Sequence, residues 1–227
     1  MFANPLIVAL DVPEPAEAAR LAGRLAGLVA FLKVGLELFT AAGPGAVEAI
    51  RPHGPVFLDL KLHDIPTTVA RAAANAGRMG VSLLTVHALG GPDMVRAAVE
   101  GVIKGAAASG VEPARVVAVT VLSSQAGEGL ASPASLAFEA VHAGAAGAVV
   151  SGRDVREVRE ALGPGPLIVV PGIRPGGAHA NDHARVLSPG EALEAGADLL
   201  VVGRPITGSP DPAAAARALL REAGHAA

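Results

Sequence analysis

At 227 residues the chain has room for one large domain or two small ones, and a composition 51% hydrophobic and 17% charged suits a compact fold. A net charge of −3 with no Tyr or Trp offers neither a basic footprint nor a base-stacking surface, so nucleic acid is not an expected partner. The absence of Cys excludes disulfides and thiolate metal sites. It fits a reducing cytoplasm, and the start Met1-Phe2-Ala3-Asn4-Pro5 shows no basic leader and no span for a membrane.

The first apolar run, Leu6 to Val12, leads into Pro13-Glu14-Pro15 rather than a glycine-rich turn, which argues against a dinucleotide site. Glu14 to Ala30 then places Ala18, Leu21, Leu25 and Leu28 on one stripe, predicting an amphipathic helix. Further apolar runs follow at Phe31 to Leu38, Val56 to Leu62, Leu83 to Ala88, Val116 to Leu122, Ala148 to Ser151, Leu167 to Pro171 and Leu199 to Gly203. Helical patterns fall between them at Ala70 to Met79, Asp93 to Ala107, Ser135 to His142, Val155 to Leu162 and Pro189 to Ala195. A final helix, Ala213 to Leu220, is introduced by Asp211 as N-cap and Pro212 at the first helical position. Strand and helix alternating at this spacing imply parallel pairing through right-handed crossovers. Eight such units predict an α/β chain closed into a (β/α)8 TIM barrel, and the lack of any linker predicts one domain over 1–227.

In such a barrel, functional groups sit at the carboxyl ends of the strands. The third run, Val56-Phe57-Leu58-Asp59-Leu60-Lys61-Leu62, carries charges inside an apolar strand, with Asp64 just beyond. On a regular strand Phe57, Asp59 and Lys61 share one face and Leu58, Leu60 and Leu62 the other. Alone, D-x-K-x-x-D reads equally well as a buried ion pair with Asp64 capping the next helix, or as a ligand-directed array. Asp11, Lys33, His87, Thr120 and Ser123 also fall in or just past strands. Each has an ordinary explanation singly, but together they point to one functional mouth, while Ser151 reads as a helix cap. The last two runs place glycine beside arginine, in Pro171-Gly172-Ile173-Arg174-Pro175 and Gly203-Arg204-Pro205-Ile206. Glycine lets backbone N–H groups approach an anion and arginine adds a charged fork, so these loops predict a ligand with a phosphate monoester.

The ordered set resembles the orotidine 5′-phosphate decarboxylase family over nearly the whole chain. It comprises Ala9-Leu10-Asp11, Phe31-Leu32-Lys33-Val34-Gly35, Asp59-Leu60-Lys61-Leu62-His63-Asp64-Ile65-Pro66, Thr120-Val121-Leu122-Ser123-Ser124 and the two Gly-Arg loops. The resemblance implies orotidine 5′-phosphate and UMP as substrate and product, no cofactor, no metal, and a homodimer. It implies that Lys61 protonates the carbon losing CO₂ and that Asp59 lies beside the departing group. Lys33 and Asp64 complete the charged array, Asp64 reaching the partner subunit's site. Asp11, Lys33 and the partner's Thr68 become ribose contacts and Ser123 a pyrimidine contact. Arg204 with Gly203 forms the main phosphate clamp, with Arg174 in the adjoining loop. Ser123 stands where threonine is frequent. His183 falls where a phosphate-loop glutamine is expected, and also reads as an exposed loop histidine. The small-residue stretches Ser124 to Ser132 and Pro175 to His183 are candidate lids. The competing readings are a metal-dependent phosphosugar barrel enzyme and an inactive nucleotide-binding barrel.

Overall fold

The computed structural model describes residues 4–121, 132–176 and 187–225. In chain order, β1 (Leu6–Ala9) is followed by α1 (Pro15–Leu25), β2 (Phe31–Gly35), α2 (Leu36–Ala42), α3 (Pro44–Ile50), β3 (Val56–Leu62), α4 (Pro66–Arg78), β4 (Leu83–His87) and α5 (Gly91–Ser109). Then come β5 (Arg115–Val119), α6 (Pro133–His142), β6 (Gly147–Val149), α7 (Val155–Leu162), β7 (Leu167–Pro171), α8 (Pro189–Glu194), β8 (Leu199–Val202), α9 (Arg204–Thr207) and α10 (Pro212–Glu222). The strands hydrogen-bond in sequence order and β1 closes on β8, the (β/α)8 barrel that the alternating pattern predicts. By its contacts the chain groups into two compact units, Met1–Val56 with Val169–Ala227, and Phe57–Ile168.

In the first unit β1 lies parallel to β2 and β8, with Ile7 opposite both Phe31 and Val201. Every residue of β1, β2 and β8 is buried, as expected for parallel strands covered on both faces. Ala18, Leu21, Ala22 and Leu25 form the buried stripe of α1. That helix is shorter than the periodicity predicts: the chain turns at Gly27, φ 74°, and leaves Leu28 outside it. Likewise the apolar run from Phe31 does not continue as strand to Leu38. It turns at Gly35 into α2, where Leu38 is buried as a helical residue. Asp211 caps α10 as expected, accepting from the Ala214 backbone N–H at 3.2 Å.

In the second unit β3, β4, β5 and β6 are parallel neighbours, Leu58 opposite Leu84, Leu84 opposite Val116 and Val117 opposite Gly147. Helices α4 and α5 touch through small residues. A Cβ on Gly105 would lie 1.9 Å from the carbonyl oxygen of Ala74, and one on Gly101 2.4 Å from that of Ala70. Among the described residues no helix is long and apolar enough to cross a membrane.

Candidate active site

In the first unit the register sets Ala9 opposite Lys33, and the Leu10 N–H bonds the Lys33 carbonyl, so the chain leaving β1 passes beside the end of β2. There the Lys33 Nζ donates to Asp11 Oδ1 at 3.0 Å. A buried ammonium without a counter-charge would cost several kcal/mol, and the carboxylate offsets that cost. Gly35 leaves room for the pair: a Cβ there would stand 2.7 Å from Asp11 Oδ1 and 2.8 Å from Lys33 Nζ. On the same unit Gly172 takes φ 78° just after β7, and the half-buried Arg174 donates its backbone N–H to the Leu187 carbonyl. Gly203 ends β8 with room for a Cβ 3.6 Å from Ala9, so the turn carrying the exposed Arg204 lies beside the end of β1. His183 and Ser123 fall outside the described residues, as do most of both candidate lid stretches.

In the second unit β3 is not the regular strand on which the face assignment rests. Its register jumps from Leu58 opposite Leu84 to Leu62 opposite Val86, four residues against two, and Lys61 has φ 51°. Among the described residues Lys61 is the one non-glycine at positive φ, a conformation costing roughly 1–2 kcal/mol. Leu60 and Leu62 are consequently only half-buried. The pairing of charges survives the irregularity: Lys61 Nζ donates to Asp59 Oδ1 at 2.8 Å. A residue that sequence reasoning missed completes this cluster. Thr85, fully buried on β4, donates from its hydroxyl to Asp59 Oδ1 at 3.0 Å and accepts the Lys61 backbone N–H at 2.8 Å. The available signal was a hydroxyl inside the apolar run Leu83-Leu84-Thr85-Val86.

His87, two residues further on β4, has its ring centroid 5.4 Å from that of His63. Its Nδ1 is buried without a hydrogen-bond partner among the described residues. Burial, then His63 and Lys61, hold its pKa below the usual 6.5, so the neutral ring is favoured. Asp64 and Thr68 are exposed. Asp64 does not cap α4, whose N-cap is Ile65; its Oδ1 instead accepts the Ile65 N–H at 2.6 Å, and it makes no ion pair among the described residues. Thr120 is an ordinary satisfied core group, donating to the Val149 carbonyl at 3.2 Å. Ser151 precedes a short 3-10 turn, but its hydroxyl makes no capping bond. Among the described residues no three His, Asp or Glu side chains group as metal ligands.

A parallel eight-stranded barrel with lysine–aspartate pairs at the ends of its strands is the framework of a barrel enzyme. The family model described as orotidine 5′-phosphate decarboxylase / HUMPS family matches residues 4–219. A protein of Anaeromyxobacter sp. named orotidine 5′-phosphate decarboxylase is 55% identical over 225 residues, covering 94% of this chain and 96% of that protein. A protein of the same name from Moorella thermoacetica is 48% identical over 96% of this chain and 92% of its own length. The crystal structure of orotidine 5′-phosphate decarboxylase from Lactobacillus acidophilus superposes with a TM-score of 0.84 at 36% identity, covering 97% of this chain and 99% of that one. The chain belongs to the orotidine 5′-phosphate decarboxylase / HUMPS family.

Proposed function

We propose that the protein converts orotidine 5′-phosphate to UMP and CO₂, the last step of pyrimidine nucleotide synthesis, without metal or cofactor and with Lys61 as general acid. The observation that carries this reading is the 2.8 Å Asp59–Lys61 pair at the irregular end of β3, in a chain 55% identical to a protein named for that reaction. The bond from the ring carbon to the carboxylate breaks, CO₂ departs, and the electron pair stays on a vinylic carbon that has no ordinary electron sink. A local cation is then needed to stabilise that charge. Lys61 supplies it, gives its proton to the carbon and is reprotonated from solvent. Asp59 keeps Lys61 charged. A substrate carboxylate about 4 Å from Asp59 would be repelled by about 4 kcal/mol at an effective dielectric near 20. That repulsion counts towards the rate to the extent that it is relieved in the transition state.

The remaining roles follow the family pattern. Asp11 and Lys33 hold the ribose, Ser123 the pyrimidine, and Arg204 with Gly203 and Arg174 the phosphate, with His183 in the phosphate loop. Asp64 and Thr68 act across a homodimer. Supporting this, Asp64 forms no ion pair among the described residues, and Ile65 beside it is 67% exposed, an apolar side chain that a partner subunit would cover. The chain works as one domain in the cytoplasm.

The test is to add orotidine 5′-phosphate to EDTA-treated protein and follow the loss of its ultraviolet absorbance. Turnover with chelator present is expected. Activity that returns only with a divalent cation would favour a metal-dependent phosphosugar enzyme, and binding without turnover in either condition a non-catalytic barrel.

A further inference from the structure

Asp59 and the main chain of Lys61 are joined by a third residue to which the proposed reaction assigns no part. Thr85 lies opposite the stretch of β3 where the ladder register jumps, and its hydroxyl is fully buried. A valine of the same shape would pack there without a buried hydroxyl to satisfy, so packing alone does not account for threonine. The single hydroxyl proton is committed to Asp59 Oδ1 at 3.0 Å, and the oxygen accepts the Lys61 N–H at 2.8 Å. The same Asp59 Oδ1 receives Lys61 Nζ at 2.8 Å. The bonds close a ring: the Lys61 main chain is held to Thr85, Thr85 to Asp59, and Asp59 to the Lys61 ammonium. The left-handed backbone of Lys61 is thus tied at the N–H that leaves the regular ladder.

We infer that Thr85 is a positioning residue whose hydroxyl fixes Asp59 and the Lys61 backbone together, so that the ammonium is presented from one place. The inference rests on the proposed decarboxylation for its kinetic test, and has a second readout that does not. Thr85→Val should lower kcat about a hundredfold, the usual cost of misplacing a reacting group by about an ångström, with KM little changed. Without the Thr85 donor the Asp59 carboxylate is protonated more readily, so the acid limb of the kcat profile should move to higher pH. Thr85→Ser should restore both rate and profile. Should the valine variant fail to fold, Thr85→Ser against Thr85→Ala makes the same comparison, because both lack the γ-methyl and differ by the hydroxyl. The independent readout is hydrogen exchange at the Lys61 amide, slow in the wild type and the serine variant and faster in valine or alanine. Wild-type rate, profile and amide protection in the hydroxyl-free variants would overturn the inference. A wild-type protein that releases no CO₂ would overturn the proposed activity, while the amide measurement would still decide whether the ring exists.

Discussion

Gly35→Ala isolates the Asp11–Lys33 pair without touching either charge. Gly35 has φ −94° and ψ −174°, extended backbone that alanine adopts without strain. The new Cβ would meet Asp11 Oδ1 at 2.7 Å and Lys33 Nζ at 2.8 Å, so each end must retreat by roughly 0.6–0.7 Å to reach ordinary contact. Lys33 has little room, its side chain being only 8% exposed, whereas that of Asp11 is 49% exposed. Asp11 should therefore swing outward and lengthen the 3.0 Å bond. Stability should change little. The bond is lengthened by less than an ångström rather than broken, so the buried Lys33 ammonium keeps its counter-charge, and replacing glycine restricts the unfolded chain by about 0.4–1 kcal/mol in the opposite sense. Tm should then shift by no more than about 2–4 °C in either direction. If the pair holds the ribose as proposed, misplacing its two groups by more than half an ångström should nevertheless lower kcat/KM by about 10- to 100-fold. Thermal unfolding and the absorbance assay on the same preparation separate the two effects. Wild-type kcat/KM in a folded Gly35→Ala protein would refute the claim that the pair's geometry serves the reaction.

Gly105→Ala should do the converse. Its Cβ would meet the rigid Ala74 carbonyl at 1.9 Å and force α5 away from α4, costing about 1–3 kcal/mol, and an unchanged Tm would contradict this packing. Lys61→Ala should reduce turnover by at least about 10²–10⁴-fold while calorimetry still detects UMP, since the proposed phosphate and ribose contacts lie on other residues; near-normal turnover would remove Lys61 from the chemistry. Mixing Lys61→Ala and Asp64→Ala chains should restore activity in about a quarter of the sites, because in the proposed shared-site dimer each mixed pair would rebuild one complete site, and no recovery would argue against sharing. His87 makes stability pH-dependent. Its folded pKa is lowered, so as pH falls below 6.5 the unfolded chain binds the proton first and stability drops until the folded pKa is passed. In His87→Gln the fall of Tm over that window should be shallower, and an equal slope would refute the assignment.

The barrel was legible because its strands are buried on both faces and therefore read as short, continuous apolar runs. Boundaries were less so where one apolar run served two elements: Phe31 to Leu38 is strand as far as Gly35 and helix from Leu36. The sequence carries both helix starts, the S-x-x-E capping box of Ser188 and Glu191 at α8 and the Asp211-Pro212 cap at α10. At the site, strand alternation suggested that Asp59 and Lys61 meet, but the strand that brings them together is irregular. A positive φ at a lysine has no sequence signature, because local propensity disfavours it and tertiary bonds must hold it. Thr85 was hidden for a related reason. It acts from the neighbouring strand, and nothing in Leu83-Leu84-Thr85-Val86 states which residue of β3 it faces.

The two lysine–aspartate pairs are built in opposite senses, and this bears on which lysine can donate the proton. In the first pair the lysine is the enclosed member, 8% exposed against 49% for Asp11. In the second the carboxylate is enclosed, Asp59 at 13% against 32% for Lys61. An acid that turns over must give up a proton and regain one from water, and by side-chain exposure Lys61 suits that proposed role better than Lys33. Asp59 also accepts the Thr85 hydroxyl, so in the proposed reaction the anchored charge would be the one that stays in place while its partner exchanges protons. Lys33 is then better suited to holding a ligand through a fixed charge, and Lys61 to the transfer itself.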